Sequence, residues 1–197
     1  MTPRLRTALV AAILSFGLVA HAQMAPASER PTDRLEALNA RSGKVSVREF
    51  LETKTVYGFS ATRIELTPIY AYDPSNAGDG FRGIRVRVVA GPKEYDRSAA
   101  IVDRNEVGQI LAGLDYLIDL GKRWEAEMEP YREADLTTED GLKIGFYHTE
   151  EGKQAVYVSH SDNTAFFALE DLAVLKELFA VLAKTLDEHR PTAAEGP

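Results

Sequence analysis

The sequence predicts an α+β domain of two antiparallel β-sheet units, three or four strands each, with an amphipathic α-helix after each unit and packed on it. Two observations carry this expectation. Ser98 to Leu120 and Thr164 to Leu186 follow one order at an offset of 65 positions: a short apolar strand, an acidic turn and an amphipathic helix. Ile101 corresponds to Phe166, Glu106 to Asp171, and Val107, Ile110, Leu114 and Leu117 to Leu172, Leu175, Phe179 and Leu182. An internal repeat of this kind outranks local propensity as a guide to architecture. The stretches before both helices also alternate apolar and polar residues with the period of half-buried strands. The duplicated units are expected at about 45–122 and 123–187, within one domain spanning 45–187.

The chain opens with Arg4 and Arg6, an uncharged apolar run from Ala8 to Ala20, and the small-x-small pattern Ala20-His21-Ala22. This is the layout of a signal peptide over 1–22, and the run is shorter than the roughly 20 apolar residues of a membrane span. Export to a bacterial periplasm or the exterior is therefore expected. Residues 23–44 are rich in Ala, Pro, Ser and charge, with only Leu35 and Leu38 at helical spacing, and suggest a flexible linker.

Ile64, Leu66, Tyr70 and Tyr72 alternate against Arg63, Glu65 and Thr67, with Pro68 marking a bulge or edge. The loop DPSNAGDGF leads to a second strand from Gly83 to Val89, so the two form a hairpin that places Glu65 beside Arg85 or Arg87. A third strand is expected from Glu94 to Val102. Asp103 then caps the first helix, and Glu106, three residues on, completes a capping box. One local mechanism accounts for the type and the spacing of both acids, which weighs against a catalytic pair.

The second unit starts at Trp124, with an irregular strand near Pro130. Clear strands follow at Leu142–His148 and Ala155–His160, joined through Glu150-Glu151-Gly152, and Ser161-Asp162-Asn163 turns into the last strand. The apolar stripe of the first helix fills an arc of roughly 120°, while Val174 and Val181 widen that of the second to roughly 180°. Cover for those two valines is expected from the other half, the N-terminal segment, or a second copy in a homo-oligomer. Residues 188–197 carry no apolar pattern and suggest a disordered tail.

The chain has a formal charge of −7 and no cysteine. Loss of Arg4 and Arg6 with a signal peptide would take 23 basic residues to 21 against 30 acidic ones, a net charge of −9. No cluster of Lys and Arg suits a phosphate backbone, so nucleic-acid binding is not favoured. The absence of cysteine excludes disulfides, thiolate metal sites and a cysteine nucleophile.

Candidate chemistry is sparse. His148 and His160 end strands of one hairpin, yet the register separates them by roughly 20 Å, too far for one metal. The loop at Asp73 has Ser75 at the third calcium-loop position, but Ala77 fails the fifth and Ile84 stands where a bidentate Glu is needed. Ser159-His160-Ser161-Asp162 has the letters of a hydrolytic triad in a single turn, where the side chains do not converge. Tyr57, Phe59, Tyr70, Tyr72 and Phe81 make the first hairpin aromatic, a composition more usual in a core than in a ligand platform. No catalytic, cofactor-binding or metal residue is assigned on these grounds, and the ligand-binding residues are unknown at this stage.

The segments IVDRNEVGQILAGLDYL, GLKIGFYH and AFFALEDLAVLKEL resemble a family of small exported bacterial proteins without an assigned activity. That resemblance covers about Val56 to Leu186 and implies export and a mixed sheet-helix domain; it carries no active-site residues. By element order the chain is also similar to Whirly-type single-stranded nucleic-acid-binding folds, an analogy of architecture. The leading functional expectation is an exported, non-catalytic binding or interaction module for a protein or small molecule. A periplasmic hydrolase-like enzyme whose site assembles only in the fold is the alternative, and a single-strand binder the third reading.

Overall fold

The computed structural model describes residues 30–39, 45–91, 97–125, 131–149 and 151–190. The expected signal peptide, the start of the third strand and the last seven residues lie outside this set. Two antiparallel sheets and three helices make up the fold, as the α+β expectation requires.

Within the segment expected to be a linker, Pro31–Asn39 form helix α1. It rests on the first sheet, where Leu38, Ile69, Ala71 and Ile101 are buried outside the main core. The first sheet holds β1 (Val47–Phe50), β2 (Lys54–Tyr57), β3 (Arg63–Asp73), β4 (Asn76–Val89) and β5 (Arg97–Asp103). β1 and β2 pair in turn along one edge of β3, and β4 pairs along the other. Pro68 stands where β1 gives way to β2, and its carbonyl accepts from the amide of Leu51 at 3.0 Å. In a strand the N–H and C=O of one residue point the same way, so the donor that proline lacks faces this break and the β3–β4 ladder loses nothing.

The β3–β4 hairpin is tighter than the sequence suggests. Asp73 pairs with Asn76 across a turn at Pro74-Ser75, and β4 begins at Asn76 where a loop was expected. Asp73 Oδ1 accepts from the Ser75 amide at 2.9 Å and its hydroxyl at 2.5 Å, a local closure that removes the need for a longer loop. Glu65 sits opposite Arg87, as expected, and accepts from it at 2.9 Å.

Helix α2 (Val107–Glu125) follows β5, then the second sheet runs β6 (Arg132–Thr137), β7 (Lys143–His148), β8 (Gln154–His160) and β9 (Asn163–Phe167) as a simple meander into helix α3 (Asp171–Glu188). Trp124, expected to open the second unit, belongs instead to the last turn of α2 and packs on Phe146 at 5.1 Å. The repeat holds at the helices: Val107, Ile110, Leu114 and Leu117 are buried, and so are Leu172, Leu175, Phe179 and Leu182.

Contrary to expectation, the helices do not cover the sheets that precede them, and the first sheet has five strands where three or four were expected. α2 lies against β6 and β7, α3 lies against β3 and β4, and the two helices pack on each other. Each therefore crosses to the partner unit, because the edge strand that feeds it abuts the other sheet. On β5, the Ile101 amide donates to Asp140 Oδ2 in the β6–β7 turn at 2.8 Å, and the Ser98 hydroxyl to the His160 carbonyl at 2.6 Å. On β9, the Phe166 amide donates to Thr62 Oγ1 in the turn before β3, and a side chain at Gly58 would meet the Phe166 carbonyl at 2.2 Å. Both edges are thereby closed to strand addition. Among the described residues the main apolar core draws on both units, from Val56 to Leu186.

Val174 and Val181 are 43% and 53% exposed. Among the described residues neither the other half nor α1 covers them, contrary to the first expectation for that stripe; residues 23–29 and 40–44 of the N-terminal segment lie outside the described residues. No helix among the described residues is long and apolar enough to cross a membrane.

Candidate functional site

The residues weighed from the sequence do not gather in one place. His148 pairs with Gln154 at one end of the β7–β8 ladder and is 2% exposed, while His160 is at the other end. Tyr70 and Tyr72 are core residues stacked at 5.1 Å, whereas Tyr57 and Phe59 are exposed. Asp103 and Glu106 form the capping box: Glu106 Oε2 accepts from the Asp103 amide at 3.0 Å and Asp103 Oδ1 from the Asn105 amide at 2.7 Å. Burial raises the Glu106 pKa, an effect only partly offset by its hydrogen bonds from the amides of Glu139 and Asp103. Among the described residues no group of three His, Asp or Glu could hold a metal ion.

Polar and aromatic side chains converge instead on the outer face of the second sheet, the face away from the helices. Strand alternation sends Ile144, Phe146, Val156, Val158, Ala165 and Phe167 into the core, so the opposite parity faces outward. The register then places Glu133 beside Tyr147, and Asp135 beside Gly145, Tyr157 and Phe166 in one row across four strands. Gly145 is what lets that row close. A Cβ there would meet the Ala134 carbonyl at 2.5 Å and Tyr157 Cζ at 2.8 Å. In its absence the Tyr157 ring lies across β7, and its hydroxyl reaches Glu133 Oε1 at 2.5 Å and Asp135 Oδ2 at 3.2 Å.

Three tyrosines surround Glu133. Tyr131 donates to its Oε2 at 3.1 Å, Tyr157 to its Oε1, and Tyr131 stacks on Tyr147 at 6.2 Å. Burial pushes the Tyr157 phenol pKa well up, with the hydrogen bond to Glu133 and the charge of Asp135 adding to it, so the phenol stays a donor. Glu133 and Asp135 accept from hydroxyls and, among the described residues, from no ammonium or guanidinium. Lys143, Ser159, Thr164 and Phe166 complete a shallow depression of about 320 Å³, with Lys143 one row beyond Asp135. Sequence reading missed this site because β6 looked irregular. The available signal was parity: Glu133, Asp135, Tyr147 and Tyr157 all occupy outward positions once β6 is aligned with β7.

No family model and no curated protein matches the chain.

Proposed function

We propose that the protein is an exported, non-catalytic binding module that takes a cationic group on the outer face of its second sheet. The observation that carries this reading is Glu133 with Asp135, two carboxylates without a basic partner among the described residues, set among the rings of Tyr131, Tyr147 and Tyr157. Aromatic faces attract cations by about 0.5–1 kcal/mol each at exposed sites, and nearby carboxylates add charge attraction. The same carboxylates repel phosphates, which counts against the single-strand binder at this face. The face is open and shallow, which suits a side chain presented by a partner better than a buried substrate.

Titration of the protein with octalysine, octaglutamate and a neutral oligosaccharide tests the proposal by calorimetry. Octalysine is expected to bind, to weaken as salt rises, and to weaken with Glu133→Gln or Tyr131→Ala, both at exposed positions. Binding of the neutral sugar in preference to octalysine, or octalysine binding untouched by both substitutions, would refute it.

A further inference from the structure

A separate cleft of about 450 Å³ lies between α1, β3, β4, the β5–α2 junction and the C-terminal end of α3. It shares no residue with the face of the second sheet. Three guanidinium groups line it, Arg34, Arg82 and Arg104, against two carboxylates, Asp103 and Asp187. Both carboxylates are taken: Asp103 pairs with Arg34 at 2.5 Å, and Asp187 holds Arg104 through two bonds at 2.9 and 2.5 Å. The hydrogen bond from Arg104 keeps the Asp187 carboxyl below the ordinary range, so it remains charged and bound.

Arg82 makes no such hydrogen-bonded pair among the described residues, although its charge also acts on Asp187. Its guanidinium lies over the Tyr70 ring at 5.1 Å, a contact that takes up none of its N–H donors. Tyr70 is held in turn by Tyr72 on one side and His189 on another. Arg34 lies over the Phe81 ring at 5.8 Å, and its Nε is buried without a hydrogen-bond partner. Among the described residues the cleft thus has a planar donor, one more guanidinium than carboxylate and an aromatic wall, in a volume suited to a small molecule.

We infer that this cleft binds a small molecule carrying an oxyanion, carboxylate or phosphate, on an aromatic or apolar body. Arg82 donates to the oxyanion through its N–H groups and supplies the charge, the unpartnered Nε of Arg34 adds a donor, and Phe81 meets the body of the ligand.

Calorimetric titration of the protein at about 20 mM salt, where exposed charges are little screened, with phenyl phosphate and benzoate tests this. Binding of either probe supports the site, and preference between them tells phosphate esters from carboxylates. Arg82→Gln is expected to weaken binding at least about tenfold, the loss of a charge-assisted pair. Asp187→Asn, an exposed change that releases Arg104, is expected to tighten it. The inference fails if neither probe binds at millimolar concentration, or if a folded Arg82→Gln variant binds as well as the parent. Should that variant melt early, Asp187→Asn decides alone, and unchanged or weaker binding overturns the site. Because octalysine binding does not involve these residues, the two sites fail independently.

Discussion

Ala168 occupies in the second unit the position that Asp103 holds in the first. Each backbone amide donates to the carboxylate three residues on, Asp103 to Glu106 and Ala168 to Asp171, both at 3.0 Å. The repeat is thus preserved as half of a capping box in both units, and only the first has the other half. Asp103 Oδ1 accepts from the Asn105 amide, and no side chain does the same for Glu170 among the described residues.

Ala168→Ser is expected to supply that acceptor and to stabilise the fold by roughly 0.5–2 kcal/mol. Asp103→Ala should destabilise by at least as much, because it also strips Arg34 of its buried partner. Urea melts of the two variants should shift in opposite directions. A large loss with Ala168→Ser would mean that the partly buried position has no room for a hydroxyl.

Gly145→Ala is expected to destabilise by about 1–3 kcal/mol, since the nearest atom to the new methyl is the Ala134 carbonyl oxygen on a paired strand and cannot swing aside. It should also displace the Tyr157 ring and weaken octalysine binding. Melting and titration of the same sample check both effects. A neutral substitution would show that the Tyr157 arrangement is softer than the close packing requires.

Glu65 accepts from Arg63 and Arg87, both at 2.9 Å. Burial by itself would raise its pKa, but the bond from Arg63 and the charge of Arg87 outweigh it and hold the value below the usual one. The ionised form is therefore favoured by folding. Its contribution is complete above the unfolded pKa of about 4.3 and is lost as pH falls through the lower folded value. Glu65→Gln should cost about 1 kcal/mol at pH 7, and the difference from the parent should shrink on acidification below pH 4.3. Paired urea melts across that range check it; a difference that grows toward acid would contradict the assignment.

Much of the fold was legible. The 65-residue offset located both helices and their buried positions, and period-two alternation located β3, β7 and β8. Tight features were less legible: the Asp73–Ser75 closure shortened a loop that composition had lengthened, and Trp124 joined a helix because its ring found Phe146. The candidate site was least legible, since Glu133 and Tyr157 are 24 residues apart and meet only through two ladder registers and the space left by Gly145.

By itself the sequence determined the α+β class, the duplicated strand-helix order, the capping box of the first helix with its half-copy at the second, and most of the core, because each of these is a local period or a spacing of three or four residues. Only the tertiary structure decided which sheet each helix covers. A periodic apolar stripe specifies that a face must be buried and says nothing about its partner; the choice follows from long-range bonds such as Asp140 to Ile101 and Thr62 to Phe166, which set the two sheets edge to edge. The same is true of α1. Its sequence is too polar to announce a packed helix, and it is held by Thr32 on Asp140 and Arg34 on Asp103, contacts that exist only once both units have folded around it.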